Sequence, residues 1–117
     1  MRPAAYALTA FLAVLAMPAQ PPSGQDLFER RCTGCHALDR EKEGPRLRGV
    51  YGRAAASVAS FEYSDALRKS QLKWDAAALD KWLADPEGLV PGADMAFRMN
   101  SAEERAAVIA YLREVSR

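Results

Sequence analysis

The chain has 117 residues, half of them hydrophobic, with 16 Lys and Arg against 15 Asp and Glu. A formal net charge of +1 offers neither the basic excess that nucleic acid requires nor the one-sign field that draws a protein to a charged lipid surface. The length fits one domain, and a domain so small buries a modest share of its surface, so its own side chains make a marginal core.

The first predicted element is a targeting segment. Arg2 supplies a short positive start, Ala4 to Met17 is apolar apart from Thr9, and small or polar residues follow from Pro18 to Ser23. That order reads as a secretory signal peptide over residues 1–19, with cleavage after Ala16 as the competitor to Ala19. A short linker, 20–23, then leads into one domain over 24–117. The apolar run is shorter than the ~20 residues a spanning helix needs, so no stable membrane insertion is expected once the signal is cut; a retained anchor is the alternative. With Arg2 removed, the charges balance.

Ser23 to Asp26 is an [ST]-x-x-[DE] helix start, and the helix it opens buries Leu27 and Phe28 before reaching Cys32. From Ala37 to Ser60 there is little periodicity, and Gly44-Pro45, Gly49 and Gly52 mark turns. Ser64 caps a short helix to Lys69. Asp75 caps a longer one with Leu79, Trp82 and Leu83 on one face, which Pro86 ends near Asp85. Pro91-Gly92 makes a turn. Ser101 to Glu104 is a capping box for a last helix that buries Val108, Ile109, Leu112 and Val115, with Tyr111 on its flank. No segment alternates as a strand. The expected fold is all-α, three to five helices with long intervening loops, and loops of that length in so small a domain need a reason such as wrapping a cofactor.

Cys32-Thr33-Gly34-Cys35-His36 contains both cysteines and the one histidine of the chain. Two thiols at this spacing can add across the two vinyl groups of a haem, and the adjacent imidazole then falls under the iron as an axial ligand. A thioredoxin-like pair would need a βαβ setting, a zinc site would need four ligands, and a structural disulfide needs only an oxidising compartment. For the second axial position the candidates are Met95 and Met99. Met95, in a loop after the Pro91 turn, is the expected ligand; for any methionine the alternative is gap-filling in the core.

Read in order, Gly24, Phe28, the Cys32–His36 signal, Gly44-Pro45-x-Leu47-x-Gly49-Val50-Tyr51-Gly52-Arg53, Phe61-x-Tyr63-Ser64-x-Ala66, Trp74, Leu83-x-x-Pro86, Pro91-Gly92-x-x-Met95-x-Phe97, Glu104-Arg105 and Ile109-Ala110-Tyr111-Leu112 resemble the class I cytochromes c of mitochondrial and bacterial c2-like type. The resemblance implies the class I cytochrome c fold around one haem c, held covalently through Cys32 and Cys35, with His36 and Met95 on the iron. It implies that the Pro45 carbonyl accepts the His36 Nδ1–H bond, that Arg53, Tyr63 and Trp74 serve a buried haem propionate, and that Phe97 covers the haem edge. It implies that Gly24 and Phe28 pack on Val108 and Tyr111 where the first and last helices cross. The function implied is a soluble, monomeric, periplasmic one-electron carrier between other redox proteins, cycling Fe(II) and Fe(III) and catalysing nothing itself. A dedicated haem subunit of an oxidoreductase and a gas-binding or peroxidase-like haem protein are the other classes. This chain departs from the mitochondrial pattern at Ala93, Leu67 and Trp82, which stand where that pattern has threonine, asparagine and tyrosine. It also has four lysines, Lys42, Lys69, Lys73 and Lys81, where mitochondrial carriers have a lysine ring.

Overall fold

A computed structural model describes all of residues 1–117. Ser23 acts as its position predicts: its Oγ accepts the Asp26 N–H at 3.1 Å and opens α1, Gly24–Arg31. Two more helices start on the same device. Ser64 Oγ accepts from Leu67 N–H at 3.1 Å ahead of α2, Asp65–Lys69, and the Asp75 carboxylate accepts from Ala78 N–H at 2.8 Å ahead of α3, Ala76–Ala84. Each bond satisfies one of the amides a helix start leaves without a partner.

Pro86 ends α3 as expected, but it also begins a further turn, α4, Pro86–Leu89, which the sequence reading did not anticipate. Proline has no N–H to lose at a first helical position and its fixed φ suits a helix there. The last helix is α5, Ala102–Glu114, capped by Ser101 Oγ on Glu104 N–H at 3.2 Å. The Glu104 carboxylate does not bend back on the cap as a full capping box would; it faces Arg31 Nη1 on α1 at 3.4 Å. Val115, expected in the core, is the C-cap of α5 and only half-buried.

The fold is therefore all-α, with five helices and no strand. One isolated bridge, Ala54 with Lys73, lies in a short zipper of loops: Gly52 N–H to Trp74 O at 2.7 Å, Trp74 N–H to Arg53 O at 2.9 Å, and Ala55 N–H to Leu72 O at 2.8 Å. This zipper puts Arg53 beside Trp74. Residues 1–22 have no regular structure and are exposed, and no helix of the chain is long and apolar enough to cross a membrane.

The core forms where α1 and α3 pack on α5, around Leu27, Phe28, Leu79, Leu83, Val108 and Leu112. The α1–α5 crossing is close. A Cβ on Gly24 would lie 2.0 Å from the Ala107 carbonyl oxygen and 3.0 Å from Tyr111 Cβ, while the Phe28 and Tyr111 rings meet with centroids 5.3 Å apart. Backbone, not a flexible side chain, stands in the way, so the two helices cannot hold this distance with any larger residue at position 24. Gly24→Ala is expected to cost about 3 kcal/mol, at the upper end of ordinary overpacking, because relief requires moving a whole helix. Urea unfolding checks it through a lowered midpoint with an unchanged slope.

Candidate functional site

The helices and loops enclose a cavity of about 490 Å³, lined by 26 residues of which 17 are hydrophobic. That volume is within the roughly 300–1,000 Å³ of ligand and cofactor sites, and an apolar wall with a few convergent polar groups is their usual composition.

Cys32 is the C-cap of α1, its N–H on Phe28 O at 2.9 Å. The chain then makes one further turn, with Cys35 N–H on Cys32 O at 3.2 Å and His36 N–H on Cys32 O at 2.9 Å. This turn carries Cys32, Cys35 and His36 together onto the cavity wall. The chain next folds back on itself through Gly44 N–H to Cys35 O at 2.8 Å and Leu47 N–H to Ala37 O at 3.0 Å, which returns Pro45 to the imidazole.

His36 Nδ1 lies 2.8 Å from Pro45 O. A carbonyl can only accept, so Nδ1 carries the proton and Nε2 keeps a free lone pair. Burial draws the His36 pKa below its ordinary value, partly opposed by the Pro45 carbonyl, so the ring is neutral and able to ligate a metal. Gly44 packs against this ring: a Cβ there would lie 2.2 Å from His36 Cε1 and 2.6 Å from Nδ1. Nothing in the sequence pattern had given Gly44 more than a turn.

The two thiols are not activated. Burial pushes Cys32 up to about 11, and the Glu43 carboxylate, which accepts from the Cys35 Sγ at 3.4 Å, raises Cys35 as well. Thioredoxin-like pairs depend on a thiolate of lowered pKa, so this environment argues against that chemistry, as does the absence of strands. A thiol held beside a large apolar cavity suits covalent attachment of what fills it.

Arg53 reaches the cavity from the loop zipper, with Nη2 on Arg46 O at 3.1 Å. Its Nε is buried without a partner, and desolvation holds its pKa below the usual guanidinium value. Tyr63 Oη accepts from Val58 N–H at 3.1 Å, leaving its own proton to donate, and the buried Trp74 lines the same cavity. An orphaned buried donor is costly unless it meets an acceptor. Arg53, Tyr63 and Trp74 all line the cavity, and each carries an N–H or O–H able to donate to an acceptor.

Met95 and Phe97 line the same cavity, from the irregular segment between α4 and α5. The Arg31 guanidinium sits over the Phe97 ring, 5.1 Å from its centroid. Met99 does not reach the wall: it is fully buried in the core with its N–H on Leu83 O at 2.7 Å. All nine residues singled out from the sequence, Cys32, Cys35, His36, Pro45, Arg53, Tyr63, Trp74, Met95 and Phe97, thus converge on one cavity. Two thiols, a neutral imidazole, a thioether and N–H and O–H donors are what a haem c requires of its protein, so the residues present fit that group.

Comparison with known proteins agrees with this geometry. The family model described as Cytochrome c matches residues 22–116. The chain is 46% identical over 87 residues to cytochrome c2 iso-2 of Magnetospirillum fulvum, covering 72% of this chain and 91% of that protein. It is 33% identical over 96 residues to cytochrome c of Nigella damascena, covering 79% and 86%. Among solved structures, cytochrome cH from Methylobacterium extorquens superposes with a TM-score of 0.74 at 40% identity, over 78% of this chain and 94% of that one.

The contact between Gly44 and the imidazole yields a direct test. Gly44→Ala must displace the His36 ring or the loop, weakening the bond to Pro45, and is expected to lower stability by about 2 kcal/mol and to shift the His36 ring resonances. Gly34→Ala, whose Cβ meets nothing within 4 Å, is expected to leave both unchanged. Urea denaturation and NMR of the two variants check it.

Proposed function

The chain belongs to the cytochrome c family, and we propose that it is a soluble periplasmic carrier of single electrons holding one haem c. Membership implies a covalently bound haem and redox proteins as partners. The further assignment rests on one observation above all: Cys32, Cys35, His36 and Met95 line a single apolar cavity that also holds the buried, unpartnered Arg53 Nε.

In this reading Cys32 and Cys35 would hold the haem through thioether bonds, and His36 Nε2 and the Met95 sulfur would be the ligands to its iron, which would supply the redox chemistry. That chemistry would be reversible Fe(II)/Fe(III) cycling. Everything else is done by the chain. Pro45 O fixes the imidazole tautomer and its orientation. Arg53, Tyr63 and Trp74 hold a propionate whose charge would otherwise be buried without compensation. Leu67 and the Trp82 indole, 5.2 Å from the Trp74 ring, keep the cavity apolar and exclude water. With His36 and Met95 both on the iron there would be no place for a substrate, and in this reading the protein is a carrier and not an enzyme. Its surface charges nearly balance, which favours neither nucleic acid nor lipid as a partner, and the carrier acts as a monomer. Residues 1–19 are the signal that delivers it to the periplasm.

Protein expressed in a periplasm is expected to have the mass of polypeptide 20–117 plus one haem, and its ferric spectrum to show the weak Met-to-iron band. A mass without haem overturns the whole reading; a ferric spectrum without that band overturns Met95 alone. Met95→His is expected to stay haem-loaded with a lower reduction potential, since a thioether ligand raises the potential over imidazole. Rapid CO binding to the native reduced protein would mean that the sixth position is open.

A further inference from the structure

The segment between α4 and α5 carries Met95, yet no backbone N–H or C=O from Asp94 to Arg98 has a backbone partner. Its far end is firm: Met99 is fully buried with its N–H on Leu83 O at 2.7 Å, and Arg105 Nη1 donates to Met99 O at 2.9 Å and Asn100 O at 3.1 Å. Besides the packing of Met95 and Phe97 on the core and the Arg31 guanidinium over Phe97, two polar grips on the segment come from one short element. At the start, Gly92 N–H is cradled by both carboxylate oxygens of Glu87, at 3.1 and 3.2 Å. At the end, Arg98 Nη2 meets Asp85 Oδ1 at 2.9 Å.

Asp85 and Glu87 belong to the single turn at α4, so both grips come from one rigid place. Asp85 N–H is tied to Lys81 O at 3.0 Å and its carbonyl takes Leu89 N–H at 3.1 Å, fixing it between α3 and α4. It occupies the N-cap position of α4, yet its carboxylate makes no capping bond. The carboxylate instead folds under Gly88, where a Cβ would lie 2.3 Å from Oδ2. Oδ1 is buried with no well-aligned donor, so Arg98 is there as a counter-charge. The plain alternative is two ordinary surface contacts: the Arg98 and Asp85 side chains are 59% and 43% exposed, and Glu87 and Gly92 both lie at the surface. Exposed ion pairs are usually worth little, but a buried carboxylate oxygen and an amide held by both oxygens of a carboxylate are stronger cases.

We infer that Asp85 and Glu87 form a two-armed clasp that holds the Met95 segment shut, positioning Met95 and resisting its displacement. The inference rests on Met95 being an iron ligand. An exogenous ligand must open this segment before it can bind, so its apparent affinity reports the open fraction directly. Weakening either arm raises that fraction without touching a residue that contacts the haem.

The test uses imidazole titrated into the ferric, haem-loaded protein, followed by loss of the Met-to-iron band, with urea midpoints measured in parallel. Glu87→Ala is expected to raise the imidazole association constant about tenfold, and Glu87→Gln, which keeps one oxygen for Gly92 N–H, by less. Asp85→Asn is expected to raise it about threefold. Gly88→Ala should match Asp85→Asn, because it moves the same carboxylate without removing its charge. Asp85→Asn combined with Arg98→Gln should be no worse than Asp85→Asn alone. Association constants within twofold of the parent in the Glu87→Ala and Asp85→Asn proteins, even with lowered urea midpoints, overturn the clasp. A parent protein with no Met-to-iron band overturns the ligand assignment on which it rests.

Discussion

The close approach of α1 to α5 is the constraint from which the site follows. Because Gly24 lets the Ala107 carbonyl come into contact, α1 has one position against α5. Its last residue before the cap is Arg31, and its cap is Cys32, so the helix delivers the attachment signal to the cavity wall at a fixed place. The turn after Cys32 then sets Cys35 and His36, and the return of Pro45 locks the ring. A larger residue at position 24 would shift this chain of positions together. The loop zipper at Arg53 and Trp74 is built on backbone bonds of its own and is tied to the returning loop by Arg53 Nη2 on Arg46 O, next to Pro45.

What could be read from the sequence divides along physical lines. Helix starts were legible because a Ser or Asp cap leaves a local, period-setting signature; Ser23, Ser64, Asp75 and Ser101 all cap where expected. The turn at Pro86 was missed because proline was weighed as a terminator of α3. An Asp-Pro pair equally marks a cap followed by a first helical residue, and that signal was present. Val115 was expected inside from its spacing, but the helix ends one residue before it, so the apolar periodicity ran past the structure.

The site residues were legible for a different reason. Cys32, Cys35 and His36 carry their chemistry in their types and spacing. Met95 was reached from the need for a second iron ligand and its place in a loop, whereas Pro45, Arg53, Tyr63, Trp74 and Phe97 were joined to the site only by family resemblance. The structure supplies the physical reason they belong together, a cavity reached from the two loop regions and α1. Gly44 and Glu87 were invisible as functional positions because what matters at each is a contact: the absence of a Cβ against an imidazole, and a carboxylate facing an amide.

Charge follows the same division between composition and placement. Near balance excluded a strong overall field, and the structure shows how the balance is spent locally. Arg31 faces Glu104 and lies over Phe97, Arg98 faces Asp85, and Lys42 donates to the Thr33 carbonyl while Glu43 accepts from Cys35. Arg31 and Arg98 are thus each paired with a carboxylate of the same chain. Long-range steering depends on a surface of one sign, which such pairing removes. Arg31 and Arg98 are occupied in holding α1, α5 and the Met95 segment in register, so charge that could guide association near this segment is used instead to organise the site.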